Sequence, residues 1–193
     1  LGLYLGLTGA RLTSADILYA GIGTAYMSSK KLDEFVNALL KDDISSNVDV
    51  DAIIGCFAED PGPAQLDEFR DLIDAAFGEN TIEDIFDHLS IIDHNWAKET
   101  VAVLKKMSPI SLKIIIEQLR RGGKLDFDDC MKMEYRIVCA ISSYDSDFYE
   151  GVRAVLIDKD HNPSWIPVSL DEVKTDMVMA HFNIPDEGED LEL

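Results

Sequence analysis

The chain has 193 residues, of which 47% are hydrophobic and 28% are charged, and these shares are ordinary for a globular protein. They exclude a collagen-like chain, a disulfide scaffold and a wholly disordered chain. Acidic residues outnumber basic ones by 37 to 17, and the formal net charge of −20 disfavours nucleic acid and an anionic membrane surface as partners. The three cysteines and four histidines lack the spacing of a disulfide framework or a metal site.

The first third of the chain predicts short helices and one strand. A capping box over residues 13–16 opens a short helix that Gly21 ends. Residues 23–27 are β-prone and predict a strand. One stripe of an amphipathic helix follows, made of Leu32, Phe35, Val36, Leu39 and Leu40. A weaker helix over residues 49–58 precedes the chain break at Pro61-Gly62-Pro63.

The remainder of the chain also has mainly helical periodicity. Ser108 suits an N-cap and Pro109 suits the first helical position, so a helix begins there. A last helix is predicted from a cap at residues 169–172 to about Phe182. The other predicted helices span residues 66–77, 81–89, 96–107 and 126–141, and residues 148–157 form a further apolar segment.

These elements make a mostly α protein with very little strand. Several helices are too short to be stable alone, and they are apolar enough to require a partner surface. Two interpretations remain open from the pattern: an irregular all-α fold, or the helical half of a larger α/β protein. No apolar run reaches the roughly 18 residues of a membrane helix, so no membrane partner is expected.

Catalytic motifs are absent from the sequence, and one group of basic residues is the main candidate for binding. There is no Gly-x-Ser-x-Gly elbow, phosphate-binding loop or Gly-x-Gly-x-x-Gly turn. The basic residues concentrate at Lys105, Lys106, Lys113, Arg120, Arg121 and Lys124. They are consistent either with a local anion site or with a solvated helix face that balances nearby acids.

Several segments resemble the crotonase (enoyl-CoA hydratase/isomerase) superfamily. Residues 7–13, followed by Asp16 and by Ala20-Gly21-Ile22, resemble the segment just after the catalytic core of that family. Three further stretches resemble the 3-hydroxyisobutyryl-CoA hydrolase branch in particular. They are Ser108-Pro109-Ile110-Ser111-Leu112-Lys113, Met133-Glu134-Tyr135-Arg136, and residues 147–160 with Pro163-x-Trp165.

The resemblance implies a fold and a division of the chain. The expected fold is mostly α: the helical C-terminal half of a crotonase-like α/β fold, a ββα spiral, with at most one or two short strands. Residues 1–27 are then the end of the crotonase core, and residues 28–185 are the C-terminal helical region. Residues 186–193, which are rich in acidic side chains, are expected to form a disordered tail.

The resemblance also implies an activity: hydrolysis of an acyl-CoA thioester in valine breakdown. The family's oxyanion-hole amides and catalytic carboxylates lie upstream of Leu1, so no catalytic residue is expected here and this chain alone is expected to be inactive. Lys159 and Lys113 are the candidate CoA contacts. Val155 stands where crotonases have an aromatic side chain, so stacking on the nucleotide is not implied there. No separate cofactor and no metal are expected, since CoA is part of the substrate.

The implied partners are the acyl-CoA substrate, the missing N-terminal half of the protein and further copies in a homo-oligomer. The implied location is the mitochondrial matrix in a eukaryote or the cytoplasm in a bacterium. Two alternatives are retained: a hydratase or isomerase of the same superfamily, and a non-catalytic crotonase-like scaffold subunit.

Overall fold

The structure is a computed structural model, and it describes residues 1–41, 46–143, 146–185 and 190–193. Within those ranges the chain is helical and contains no strand, which confirms the mostly α prediction. The chain divides into two compact units. The first unit contains residues 1–9 and 72–193, and the second contains residues 10–71. The predicted boundaries at 27 and 185 stay predictions.

Eleven α-helices lie in the described part of the chain, with two 3₁₀ turns and one π-helical turn. They are α1 (Gly2–Thr8), α2 (Ser14–Tyr19), α3 (Leu32–Lys41), α4 (Asn47–Phe57), α5 (Gln65–Ala76), α6 (Ile82–Ile91), α7 (Asn95–Leu104), α8 (Pro109–Gly122), α9 (Phe127–Ile141), α10 (Asp147–Val152) and α11 (Thr175–Ala180). The 3₁₀ turns are Ser29–Lys31 and Leu170–Glu172, and the π-helical turn Arg153–Ile157 continues α10.

In the second unit, α2 begins at the predicted capping box. The Thr13 hydroxyl accepts from the Asp16 amide, and the Asp16 carboxylate accepts from the Thr13 amide at 3.0 Å. The other Asp16 oxygen accepts from the Leu66 amide at 2.8 Å, which ties α2 to the start of α5. Helices α3 and α4 form a hairpin in which the rings of Phe35 and Phe57 pack edge to face, 5.5 Å apart.

Residues 23–27 are irregular, so the strand predicted there is wrong. The Tyr26 carbonyl accepts from the Glu59 amide at 2.8 Å, and the Glu59 carboxylate accepts from the Ser28 amide and pairs with Lys31. A strand requires a neighbouring strand to satisfy its amides and carbonyls. Here the end of the α3–α4 hairpin supplies those partners instead.

In the first unit, α8 packs against α1, α6 and α11. Gly6 on α1 allows a close crossing, because a Cβ atom there would lie 3.1 Å from Ile115 of α8. Helices α8, α9 and α11 and the segment before α11 share one buried cluster. Its members are Ile114, Met133, Ile137, Val173, Val178 and Phe182.

The predicted last helix over residues 169–182 is not continuous, which corrects the sequence interpretation. It divides into the turn Leu170–Glu172 and the separate helix α11. Val173 between them has an extended backbone, with φ −77° and ψ 105°. Its side chain is buried in the cluster beside α8 and α9, and this burial interrupts the helical run.

Half of the predicted acidic tail, residues 186–189, lies outside the described residues, so its disorder is not tested. Asp190, after that gap, pairs with Arg136 of α9, whose Nε donates to Oδ1 at 3.0 Å. Among the described residues, no helix combines the length and apolar composition needed to cross a bilayer.

Candidate functional site

The first unit carries an apolar groove of about 870 Å³. Helices α1, α8, α9, α10 and α11, the π-helical turn and residues 165–166 contribute to its walls. Among the described lining residues, only Asp147 and His181 are titratable. A groove of this volume with a mainly apolar lining is typical of a site that binds an apolar surface or a ligand of drug-like size. We call it the apolar groove below.

Asp147 holds three segments of the groove wall together. Its Oδ2 accepts from the Ser108 hydroxyl at 2.5 Å, and its Oδ1 accepts from the Ile166 amide at 2.9 Å. Ser108 is buried, caps α8 and also accepts from the Ser111 amide at 3.2 Å. Both carboxylate oxygens of Asp147 are therefore engaged within the protein, and the group acts as a structural tie.

The other titratable group of the groove, His181, is also engaged within the protein. His181 Nδ1 lies 2.9 Å from the Met177 carbonyl one turn earlier. In the described part of the chain, no histidine hydrogen-bonds to Ser108 or Asp147, and no cluster of side chains could hold a metal ion. The lining of the groove favours binding, and among its described residues no nucleophile is hydrogen-bonded to a histidine base.

Arg153 fixes the loop that follows the π-helical turn. Its guanidinium makes two bonds of 2.8 Å to the Glu150 carboxylate. It also donates to Asp158 at 2.6 Å, to Asp160 at 2.8 Å and to the Asn162 carbonyl at 3.3 Å. A planar, five-donor side chain suits this many acceptors. These bonds join the loop of residues 158–164 to the end of α10, and we call this network the Arg153 clamp.

The same network lowers the pKa values of two of its carboxylates. The Arg153 guanidinium, followed by the Ser164 amide at 2.6 Å, lowers the pKa of Glu150 from its ordinary 4.5 to about 2. In the same way, Arg153 and the Asn162 amide lower the pKa of Asp160 below its ordinary value. Both carboxylates are ionised throughout the physiological pH range, so the clamp stays closed there.

Lys159, a predicted CoA contact, lies in this clamped loop. It is exposed and has a left-handed backbone, with φ 57°, as does His161 with φ 54°. Such angles are unfavourable for residues other than glycine, and the bonds from Arg153 to Asp158, Asp160 and Asn162 flank both residues. No described residue pairs with the Lys159 ammonium. Its role stays a prediction.

Lys113, the other predicted CoA contact, is engaged within the protein. Its ammonium lies 2.8 Å from a Glu83 oxygen and donates to the Leu170 carbonyl at 3.1 Å. Lys113 and Lys159 have no contact residue in common among the described residues. Arg121, from the same basic group, pairs with Glu117 and stacks on the ring of Phe182, 4.1 Å from its centroid. Part of the basic group is thus neutralised locally, and the role of Lys113 for CoA stays a prediction.

The family model described as enoyl-CoA hydratase/isomerase matches residues 1–182. The chain belongs to this family. The match includes the whole apolar groove and the clamped loop. Both candidate CoA contacts therefore lie inside the family region.

Curated relatives of this enoyl-CoA hydratase/isomerase family member are named as 3-hydroxyisobutyryl-CoA hydrolases. The mitochondrial protein of Dictyostelium discoideum is 33% identical over 94% of this chain, and the mitochondrial protein of Xenopus laevis is 38% identical over 94%. The human mitochondrial protein is 37% identical, also over 94%. In each case the match covers 48% of the relative. The chain thus spans about half the length of these relatives.

Solved structures of family members have the same fold. A carnitinyl-CoA dehydratase of Mycobacterium thermoresistibile superposes with a TM-score of 0.81 at 35% identity, covering 96% of this chain and 52% of that one. An enoyl-CoA hydratase of Rhodobacter sphaeroides 2.4.1 gives a TM-score of 0.77 at 27% identity, covering 93% and 50%. The helical part of a crotonase fold is therefore confirmed.

Two features of this family member escaped the sequence analysis. The tie between Ser108 and Asp147 joins residues 39 positions apart, and no spacing rule predicts such a contact. The ion-pair network of Arg153 is easier to predict from the sequence than this tie, because Glu150, Asp158 and Asp160 lie within seven residues of the arginine. One basic residue among three acids is a pattern that favours a local ion-pair network.

Proposed function

We propose that this chain is the helical C-terminal half of an acyl-CoA thioester hydrolase that acts on 3-hydroxyisobutyryl-CoA. Relatives that carry this name match 94% of the chain at 33%, 37% and 38% identity. The matched length in those relatives leaves room for a second part of similar size. That part carries the reacting groups in our proposal.

The apolar groove is the observation that carries the proposal. It is large and mostly apolar, and its one carboxylate is fully engaged by Ser108 and Ile166. An exposed apolar surface of this size favours a partner surface over water. We infer that the N-terminal half of the protein packs on the groove, and that this chain covers the acyl-CoA cleft and excludes water from it.

The reaction then depends on groups outside this chain. Two backbone amides of the N-terminal half polarise the thioester carbonyl and stabilise the oxyanion that develops on it. A carboxylate of the same half activates water or attacks the carbonyl carbon. The residues described here contribute orientation of the substrate and a dry surface.

Lys159 is the proposed contact to a CoA phosphate, and Lys113 is the second candidate. Lys159 is the stronger of the two, because Arg153 fixes its backbone and no described residue competes for its ammonium. Glu83 competes for Lys113 at 2.8 Å. By the names of the eukaryotic relatives, we place the protein in mitochondria if its source is a eukaryote.

Hydration of an enoyl-CoA is the second candidate function. It is favoured by the likeness to the carnitinyl-CoA dehydratase, at 35% identity and a TM-score of 0.81. Hydratases and hydrolases of one fold bind the same CoA portion, so this chain supports both. The products distinguish them, since hydrolysis releases a free thiol and hydration keeps the thioester.

The test uses the polypeptide extended by the N-terminal half of its relatives. We expect thiol release from 3-hydroxyisobutyryl-CoA and no loss of the enoyl absorbance of an unsaturated acyl-CoA. Lys159→Glu is expected to raise KM several-fold with little change in kcat, because it removes a substrate contact remote from the reacting carbonyl. Lys30→Glu, at an exposed lysine outside both the loop and the basic group, is the control and leaves both unchanged. Hydration without thiol release contradicts the hydrolase proposal.

A further inference from the structure

Helix α3 has an apolar side that no described residue covers. Phe35 and Leu39 are half-buried, and the Phe35 ring packs on Phe57 of α4. Leu32, Val36 and Leu40 remain 51%, 43% and 78% exposed. Their spacing of four residues puts all three on one stripe of the helix. We call this the open stripe.

The second unit has little other apolar burial with which to hold α3. Helix α3 contributes no fully buried side chain, and α4 contributes only Ile53. A helix of ten residues is marginal on its own. Burial of the open stripe against another surface would therefore stabilise the α3–α4 hairpin, so binding of a partner there is favoured.

The charges beside the open stripe indicate which occupant fits. Asp33, Asn37 and Lys41 each follow a stripe residue by one position, so they form a parallel row about 100° around the helix. Along that row the charge runs from negative through neutral to positive. Neither Asp33 nor Lys41 pairs with another described residue. The row is therefore available to a partner.

A second copy of α3 in antiparallel orientation matches this row. Equivalent rows then face each other with reversed direction, so Asp33 of each copy meets Lys41 of the other, and Asn37 meets its own copy. In a two-fold parallel arrangement the two rows lie on opposite sides of the contact and do not face each other, so Asp33 and Lys41 do not form these pairs. Self-complementarity of this kind is what a two-fold symmetric interface requires.

We propose that α3 forms a two-fold symmetric contact between two copies of this chain, with Val36 packed on Val36 at the axis. Leu32 of one copy then packs beside Leu40 of the other. At physiological salt the Debye length is about 8 Å, so the facing pairs outweigh the more distant charges that make up the net −20. This contact is independent of the apolar groove and of the proposed activity.

The size of the contact limits its strength. Ten residues of α-helix are about 15 Å long, and one face of such a helix buries much less than the roughly 800 Å² per partner of a standard stable interface. We therefore expect a monomer–dimer equilibrium that shifts with protein concentration.

Exchanging the two charges tests the antiparallel register. Analytical ultracentrifugation of the chain over a wide concentration range measures the dimer dissociation constant. Asp33→Lys alone and Lys41→Asp alone each place like charges together at both ends of the contact, and each is expected to weaken the dimer about tenfold. The double variant restores the pairs in exchanged order and is expected to return the dissociation constant to within about twofold. Lys124→Asp, which changes the net charge as Lys41→Asp does, is the control and leaves the dimer unchanged.

A cross-link test does not depend on the charges. In a Cys56→Ser background, Val36→Cys is expected to give a disulfide-linked dimer under mild oxidation, because the two side chains meet at the axis. Glu34→Cys, on another side of the same helix, is expected to give none. A chain that is monomeric at every concentration overturns the proposal. So does a dimer that Phe148→Asp in the apolar groove dissociates while the charge variants leave it intact.

Discussion

Asp16 and Asp84 occupy the same position in two Thr-x-x-Asp motifs, at the starts of α2 and α6, and they differ in burial. Asp84 is exposed, and its bonds stay within its own helix cap. Asp16 is 2% exposed and also accepts from the Leu66 amide. Burial alone raises the pKa of Asp16, but the bonds from Leu66 and Thr13 outweigh it and lower that pKa below its ordinary value. The sequence predicted the cap at Asp16, whereas the bond to Leu66 depends on the fold.

Asp16→Ala is expected to destabilise the protein more than Asp84→Ala. The first change removes a cap and leaves the buried Leu66 amide without its acceptor, at a cost of about 2–3 kcal/mol. The second removes an exposed cap and costs about 1 kcal/mol or less. Urea unfolding followed by circular dichroism measures both. Equal losses would mean that the bond to Leu66 adds nothing to stability.

The ion pair between Glu150 and Arg153 predicts that the stability of the fold decreases at acid pH. A carboxylate whose pKa is lower in the folded state stabilises the fold above its unfolded pKa, and that stability is lost as pH falls through the folded pKa. For Glu150 the interval runs from 4.5 down to about 2. We expect the urea midpoint of the wild type to fall over this interval. Arg153→Met returns the pKa of Glu150 towards its ordinary value, so its midpoint should fall less; an unchanged slope would contradict the clamp.

Lys113 shows why the function of a surface cation is hard to predict from sequence. The local excess of basic residues from Lys105 to Lys124 is visible in the sequence. The partners that neutralise Lys113 come from Glu83, thirty positions earlier, and from the Leu170 carbonyl, 57 positions later. Only the fold shows which cations of the group are already engaged.

At the level of the element, helices with a clear start signal were predicted well. The Ser108-Pro109 signal placed the start of α8 correctly, because the serine caps the helix and proline fits its first turn. Residues 23–27 were predicted wrongly as a strand, since β-propensity depends on a neighbouring strand. The groove could not be predicted, because it is built from contacts between helices distant in sequence.

The glycines of α1 supply a matched pair for testing how that helix packs on α8. A Cβ atom at Gly6 would lie 3.1 Å from Ile115 and 3.6 Å from Leu119, whereas one at Gly2 would meet nothing within 4 Å. Gly6→Val is therefore expected to cost about 1–3 kcal/mol through overpacking. Gly2→Val should stay within about 0.5 kcal/mol of the wild type. Thermal and urea unfolding of the two variants compare them directly, and equal stabilities would rule out a tight crossing at Gly6.

At the level of the whole molecule, the chain has the helical part of a family fold and spans about half the length of its named relatives. Residues 1–182 match the enoyl-CoA hydratase/isomerase model, yet the match covers only 48% of the named hydrolases. The resemblance of short motifs already indicated this family. What neither motif nor periodicity could supply is the division into two compact units, 1–9 with 72–193 and 10–71, which depends on long-range contacts.

Thiol release from 3-hydroxyisobutyryl-CoA, with and without the N-terminal half of the protein, tests the central claim most directly. We expect the purified chain alone to release thiol no faster than buffer does. Addition of the separately produced N-terminal half, or its fusion to Leu1, is expected to give turnover, and Phe148→Asp in the apolar groove should weaken the complementation between separate halves. Thiol release by this chain alone, well above the buffer rate, would contradict the account.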